Sequence, residues 1–126
     1  MMMIYLFERS CMQIKIKTLA ASGRSINGLS ETKGEFYCGR GSALGNPYHI
    51  GPDGDRNDVC DKFAAMFKAH LAITPREVLT PLKNRLLTIY RWGKENPNGV
   101  ITLWCYCAPQ RCHTETIRDW LLEKLK

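Results

Sequence analysis

Residues 100–107 read VITLWCYC, a run that is nearly all apolar and rich in residues that favour β-strands. An apolar run of this length predicts a strand that is buried on both faces. We therefore expect this strand to lie at the centre of the fold. The segments on either side of it determine how it is covered.

Five other segments carry the periodicity of a strand or a helix. Ile14 and Ile16 alternate with two lysines, which predicts a strand over 13–19, and a short apolar run predicts a second strand over 36–38. Apolar residues at helical spacing predict three helices, over 56–71, 81–93 and 112–125. The order β-β-α-α-β-α predicts the α/β class, as a small Rossmann-like layered sheet with flanking helices.

The chain has 126 residues, the length of a single domain. We expect residues 13–126 to form one α/β domain and residues 1–12 to be an N-terminal extension, because Met12 begins a clean strand pattern. The apolar opening ends at Glu8 and Arg9, which is too short for a membrane span, and it lacks a signal-peptide cleavage pattern. No membrane association is expected. Six cysteines without a secretion signal indicate reduced thiols and a cytoplasmic location.

The segment 37–56, YCGRGSALGNPYHIGPDGDR, holds five glycines between a predicted strand and a predicted helix. Glycines at this density let main-chain N–H groups approach a ligand, and Arg40 and Arg56 are suited to phosphate or carboxylate. The glycine spacing does not match a dinucleotide fingerprint, because no helix follows at the required distance, and no cofactor is expected. We interpret the segment as part of a binding site for an anion. A purely structural loop is the alternative.

The segment 104–113, WCYCAPQRCH, gathers four soft metal ligands, Cys105, Cys107, Cys112 and His113. A zinc site is an alternative here and not the first interpretation, because the spacing differs from that of two Cys-x-x-Cys knuckles. Cys105 and Arg111 also have the spacing of a phosphatase loop. Pro109 would interrupt the amide nest of such a loop, which argues against that match.

Cys112 and His113 are predicted as the opening residues of the last helix, where unpaired N–H groups and the helix dipole attract anions. Arg111 beside them strengthens this site. A lowered pKa at that position would suit Cys112 to nucleophilic work, and His113 would act as acid, base or hydrogen-bond donor. A packed cysteine and a capping histidine are the alternative.

Two motifs together carry a family resemblance. GRGSALGNPYHIGPDGDR followed by a helix, and LWCYCAPQRCHTETI near the end, resemble the family catalogued as domain of unknown function 4326. The resemblance names no reaction; it implies a phage origin, and small phage proteins of this kind modify nucleotides or sequester host signalling nucleotides. The matching positions are Gly39, Arg40, Gly41, Ser42, Leu44, Gly45, Asn46, Pro47, Cys105, Cys107, Pro109, Cys112 and His113.

The two loops predict a pocket for a nucleotide-derived anion where residues 39–56 meet residues 108–113. Arg40 and Arg111 would hold phosphates, and Tyr48 or Trp104 would stack on a base. In a phage setting the protein would sequester an ADP-ribose-like or cyclic-nucleotide signal in the host cytoplasm. The predicted ligand-binding residues are Gly39, Arg40, Gly41, Ser42, Gly45, Asn46, Tyr48, Arg56, Arg111, Cys112 and His113.

Two other classes of function stay open. One is an enzyme on a nucleotide, phosphate or ribosyl substrate, with Cys112 or Cys105 as nucleophile and His113 as acid or base. The other is a basic nucleic-acid-binding module that contains zinc. The formal charge of +6 is compatible with that module, although the 18 basic residues form no long run. A homo-oligomer is compatible with all three classes.

Overall fold

The computed structural model describes residues 12–107 and 110–126, so most of the predicted extension lies outside the described residues. The strands are β1 (Gln13–Thr18), β2 (Glu35–Tyr37) and β3 (Val100–Cys105). The helices are α1 (Arg56–Ile73), α2 (Pro81–Glu95) and α3 (Thr114–Lys124). The predicted α/β class and the order β-β-α-α-β-α are confirmed. None of the helices in the described part of the chain is long and apolar enough to cross a membrane.

β3 is the central strand of a parallel sheet with the order β1-β3-β2. Leu103 lies between Ile16 of β1 and Phe36 of β2, so apolar side chains from all three strands share one face. Every residue of β3 after Val100 is buried, as predicted. The strand ends at Cys105, two residues earlier than predicted, because β1 and β2 have also ended there and offer no further ladder partners.

The two faces of the sheet are covered differently. On one face, Ile101 and Leu103 join a core with side chains from all three helices, including the fully buried Phe63 of α1. On the other face, Trp104 lies beneath Lys17 and Arg24, whose charged groups are 5.9 Å and 5.3 Å from its ring centroid. The helix layer thus packs on the face that the alternating pattern of β1 predicts to be apolar.

The last helix begins at Thr114, so its predicted start at Cys112 is corrected by two residues. His113 is the N-cap residue, but its side chain makes no capping hydrogen bond. The imidazole instead reaches the backbone carbonyl of Cys38, 2.6 Å away. The side chain that the sequence pattern assigns to the helix start therefore makes a tertiary hydrogen bond and not a capping one.

α1 begins behind a capping box, whose loss is expected to destabilise the protein. Asp55 Oδ1 accepts from the Asp58 N–H at 2.8 Å, and Asp58 Oδ2 accepts from the Asp55 N–H at 2.9 Å. We expect Asp55→Ala to lower the free energy of unfolding by about 1 kcal/mol, because the Asp58 N–H at the helix start loses its acceptor. Urea denaturation measures the change, with Glu77→Ala in the exposed connection after α1 as control. Equal losses in both variants would contradict the assignment.

Candidate functional site

A cavity of about 210 Å³ lies beyond the carboxyl ends of β2 and β3. Parallel strands end at the same edge of a sheet, and the loops that follow them meet there. The Gly-rich loop, the start of α1 and the segment before α3 form the walls. The structure brings seven of the predicted ligand-binding residues to this cavity: Gly39, Arg40, Asn46, Arg56, Arg111, Cys112 and His113.

The other four predicted residues shape the loop and do not line the cavity. Gly41 has a φ of 88°, a left-handed conformation that favours glycine. Gly45 packs against the backbone of Gly39, and the Ser42 hydroxyl donates to the Gly39 carbonyl at 2.7 Å. The ring of Tyr48 faces the ammonium group of Lys62. Their contact with a ligand stays a prediction.

Arg40 and Asn46 line the cavity, yet their polar groups hold the loop together. Arg40 donates to the carbonyls of Asn46 and Tyr48, at 2.7 Å and 3.0 Å. The Asn46 amide donates to the Val59 carbonyl of α1 at 3.0 Å and accepts from the Tyr48 N–H at 2.9 Å. These bonds fix the Gly-rich loop against α1, so this side of the cavity is ordered before a ligand binds.

Two further arginines line the cavity, and they differ in how many hydrogen bonds they make to other protein groups. Arg111 donates to Asn57 and forms an ion pair with Asp61 at 2.7 Å. Arg56, the first residue of α1, donates to the Arg111 carbonyl at 3.3 Å. It therefore keeps donors for another partner, and it lies at the positive end of the α1 dipole. Arg56 is the best placed of the cavity arginines to meet an anion.

His113 is a buried, neutral side chain at the inner end of the cavity. Its Nε2 donates to the Cys38 carbonyl at 2.6 Å, since a carbonyl only accepts, and its ring packs edge-on against Phe63 at 4.9 Å. Burial lowers the pKa of His113 below its ordinary value. The neutral tautomer then leaves Nδ1 as an acceptor, 3.5 Å from the sulfur of Cys112.

The predicted lowering of the Cys112 pKa is wrong. Cys112 is only 3% exposed, and the neighbouring thiols of Cys105 and Cys107 together with burial raise its pKa. The opposite holds for Cys107, whose pKa the neighbouring thiols of Cys105 and Cys112 lower. Cys107 also lines the cavity, although the predicted ligand-binding residues did not include it.

The aromatic side chains at the cavity are Tyr37 and Tyr106, and not the predicted Tyr48 and Trp104. The two rings meet edge to face with centroids 6.3 Å apart. Tyr106 is 55% exposed and leaves much of its ring open to a ligand. Both tyrosines stand where a strand ends and a loop begins. That position was the signal by which the sequence could have identified them.

The cysteines of the described residues are free thiols. Within residues 12–107 and 110–126, no group of three or more histidine, cysteine, aspartate or glutamate side chains is arranged to hold a metal ion. The geometry of these residues thus gives the zinc alternative no support.

Fold and site define a class: a small mixed α/β protein with a three-stranded parallel sheet and a cavity at the carboxyl ends of two strands. The family model described as Domain of unknown function (DUF4326) matches residues 22–123. The chain belongs to this family, as its two motifs indicated. No curated protein and no solved structure matches the chain.

Proposed function

We propose that this chain binds a nucleotide-derived anion, with phosphate at Arg56 and a planar base against Tyr106. One observation carries the proposal: three arginines and an exposed aromatic ring share one cavity at the carboxyl edge of the sheet. Guanidinium groups suit phosphate oxygens, and an aromatic face suits a base.

Charge at the cavity favours an anionic ligand. Arg40, Arg56 and Arg111 line it, and the described lining residues include no aspartate or glutamate. Although Arg40 and Arg111 bond to protein oxygens, their charges still raise the local potential.

Size limits how a nucleotide is bound. The volume of about 210 Å³ lies below the roughly 300–1,000 Å³ of typical small-molecule sites. A ligand would place one phosphate or sugar group inside and its base outside, across the exposed ring of Tyr106. An extended anion fits this arrangement better than a compact aromatic compound.

The site favours binding over turnover. The nucleophiles of the enzyme alternative, Cys112 and Cys105, are both buried, burial and neighbouring thiols raise the pKa of Cys112, and His113 Nε2 is bonded to the Cys38 carbonyl. Tight binding without a reaction is what sequestration of a signalling nucleotide requires. That role would follow if a phage carries the gene.

Identification of a co-purified molecule tests the proposal most directly. The protein is purified at low salt and denatured, and the released small molecules are identified by mass spectrometry. We expect a phosphate-bearing nucleotide derivative, recovered from lysates of infected cells if ordinary host lysates yield none. If the purified protein holds no ligand, it is titrated with a panel of nucleotides and ADP-ribose, and calorimetry measures their binding. No binding in either experiment would refute the proposal.

Loss of the Arg56 charge is expected to weaken binding of the identified nucleotide by tenfold or more, since a hydrogen bond to a charged group contributes about 1.5–3 kcal/mol. Arg56→Gln keeps most of the side-chain volume. Arg91→Gln is the matched control, because Arg91 is exposed and lines a different groove. Calorimetry measures both dissociation constants. Equal affinities in the two variants would remove Arg56 from the site.

A further inference from the structure

A groove of about 840 Å³ lies in the helix layer, on a part of the surface that the candidate site does not use. The end of α1, the connection from α1 to α2, and the helices α2 and α3 form its walls. No residue that the structure describes lines both this helical groove and the cavity at the sheet edge. An occupant of the helical groove would therefore leave the candidate site free.

Apolar side chains are exposed along the helical groove. Ile73, at the end of α1, is 79% exposed, Leu79, in the connection, is 51% exposed, and both line the groove. On α2 and α3, the half-buried rings of Tyr90 and Trp120 meet edge to face with centroids 6.3 Å apart. Contiguous apolar surface of this kind marks a place of contact with another molecule.

The connection that carries Leu79 is held in place by hydrogen bonds. The Lys83 ammonium donates to the Pro75 carbonyl at 2.9 Å, and His70 Nε2 lies 2.7 Å from the Thr80 hydroxyl. The same hydroxyl accepts from the Lys83 N–H at 3.2 Å, at the start of α2. A surface that is already ordered loses little conformational entropy when it binds.

The charge of the helical groove is positive. Arg76, Lys83 and Lys124 line it, and its described lining residues include no aspartate or glutamate. The Lys124 ammonium lies 5.8 Å from the centroid of the Trp120 ring. A complementary occupant therefore brings negative charge together with apolar side chains.

Acidic side chains lie beside the helical groove on α3. Asp119 and Glu123 are one helical turn apart, and each directly precedes a residue of the groove, Trp120 or Lys124. Their side chains are 67% and 68% exposed, in surface ion pairs that contribute little. Cations in the groove and acids next to it make this surface complementary to a second copy of itself.

We propose that the helical groove is the interface of a homodimer with two-fold symmetry. Ile73 and Leu79 of each copy pack against the groove of the other, and the acids of α3 meet the other copy's Arg76. A two-fold axis makes each of these contacts twice, because it brings the same surface of both copies together. An acidic segment of an unrelated protein would also meet the cations, but it would place like charge beside Asp119 and Glu123.

The size of the surface sets the expected strength of the dimer. Thirteen residues line the groove, fewer than the about 20–30 on each side of a standard interface. We therefore expect a dissociation constant on the order of micromolar, and an equilibrium between monomer and dimer that shifts with concentration. The dimer does not depend on the proposed nucleotide binding, and it is tested without any nucleotide.

Sedimentation velocity of the full chain, from about 1 µM to about 200 µM, tests the dimer. The mass is expected to rise from that of the 14.4 kDa chain towards twice that value. Ile73→Lys should raise the dissociation constant at least about tenfold, since it removes an apolar contact twice and adds positive charge to a positive groove. Ile26→Lys is the matched control, because Ile26 is 42% exposed and lines neither the groove nor the cavity. Monomer at every concentration, or equal dissociation constants for the two variants, would overturn the proposal.

Charge reversal tests the two-fold arrangement. Arg76→Glu, and separately Asp119→Lys with Glu123→Lys, should each weaken the dimer about tenfold by placing like charges together. All three substitutions in one chain exchange the signs on both sides, and we expect the dissociation constant to return to within about threefold of wild type. All three side chains are exposed, and circular dichroism checks that each variant is folded. Additive weakening in the combined variant would mean that Arg76 does not face the acids of α3, and would refute this interface.

Discussion

Gly45→Ala is expected to lower the free energy of unfolding by about 2–3 kcal/mol, as overpacking at a tight contact does. A Cβ at this position would come within 3.0 Å of backbone atoms of Gly39, a separation that Cβ atoms in proteins essentially never show. Backbone atoms cannot rotate away as a side chain can. The Gly39 carbonyl is also fixed by the Ser42 hydroxyl and N–H, at 2.7 Å and 3.1 Å. The base of the Gly-rich loop would have to open.

Two glycine variants separate this clash from general effects of adding a methyl group. At Gly28 a Cβ meets only the Ser25 hydroxyl at 3.4 Å, an ordinary contact, so Gly28→Ala should leave stability nearly unchanged. At Gly41 a Cβ meets no atom within 4 Å, but φ is 88°, so Gly41→Ala should cost about 1–2 kcal/mol through backbone strain. Urea denaturation measures all three. A Gly45→Ala loss as small as that of Gly28→Ala would show that the loop can open without cost.

The elements of the fold were predictable from the sequence because their signals are local. The alternation of Ile14 and Ile16 with lysines, and the apolar run that contains Leu103, depend only on which faces are buried. Element ends were less predictable, since they depend on distant partners. β3 ends where β1 and β2 end, and α3 starts late where His113 bonds to Cys38.

The place of the candidate site was predictable from topology, but the roles of its side chains were not. Loops that follow parallel strands meet at one edge, and that rule brought the Gly-rich loop and His113 together. Residue type alone cannot tell an arginine that binds a ligand from one that fastens a loop. Arg40 does the second, as its two bonds to carbonyls show. Sequence reasoning named Cys107 as a candidate metal ligand but not as a ligand-binding residue, because its position in the cavity depends on the fold.

His113→Ala is expected to lower the free energy of unfolding by about 3 kcal/mol. The imidazole is 5% exposed and packs against Phe63, so its removal leaves a cavity in the core. The Cys38 carbonyl also loses its donor at 2.6 Å, and a buried acceptor without a partner costs about 1–3 kcal/mol. His113→Gln, whose amide is able to reach the same carbonyl, should restore part of the loss. Urea denaturation at neutral pH measures both variants, and equal losses would argue against the hydrogen bond.

The buried imidazole of His113 also determines the direction in which the free energy of unfolding changes with pH. The pKa of His113 is lowered in the folded state, so below its ordinary value of 6.5 the unfolded chain binds a proton that the native chain does not. The contribution of His113 to stability is therefore complete above about pH 6.5 and is lost as the pH falls below it, towards the lowered native pKa. The lowered pKa of Glu35 acts only near and below 4.5, outside a window of about pH 5.5–7.5. The lowered pKa of Cys107 contributes a slope of the same sign in wild type and in His113→Gln, so the difference between the two proteins isolates the histidine. We expect the free energy of unfolding of wild type to fall more steeply with decreasing pH than that of His113→Gln, whereas parallel curves would mean that His113 is protonated in the folded protein.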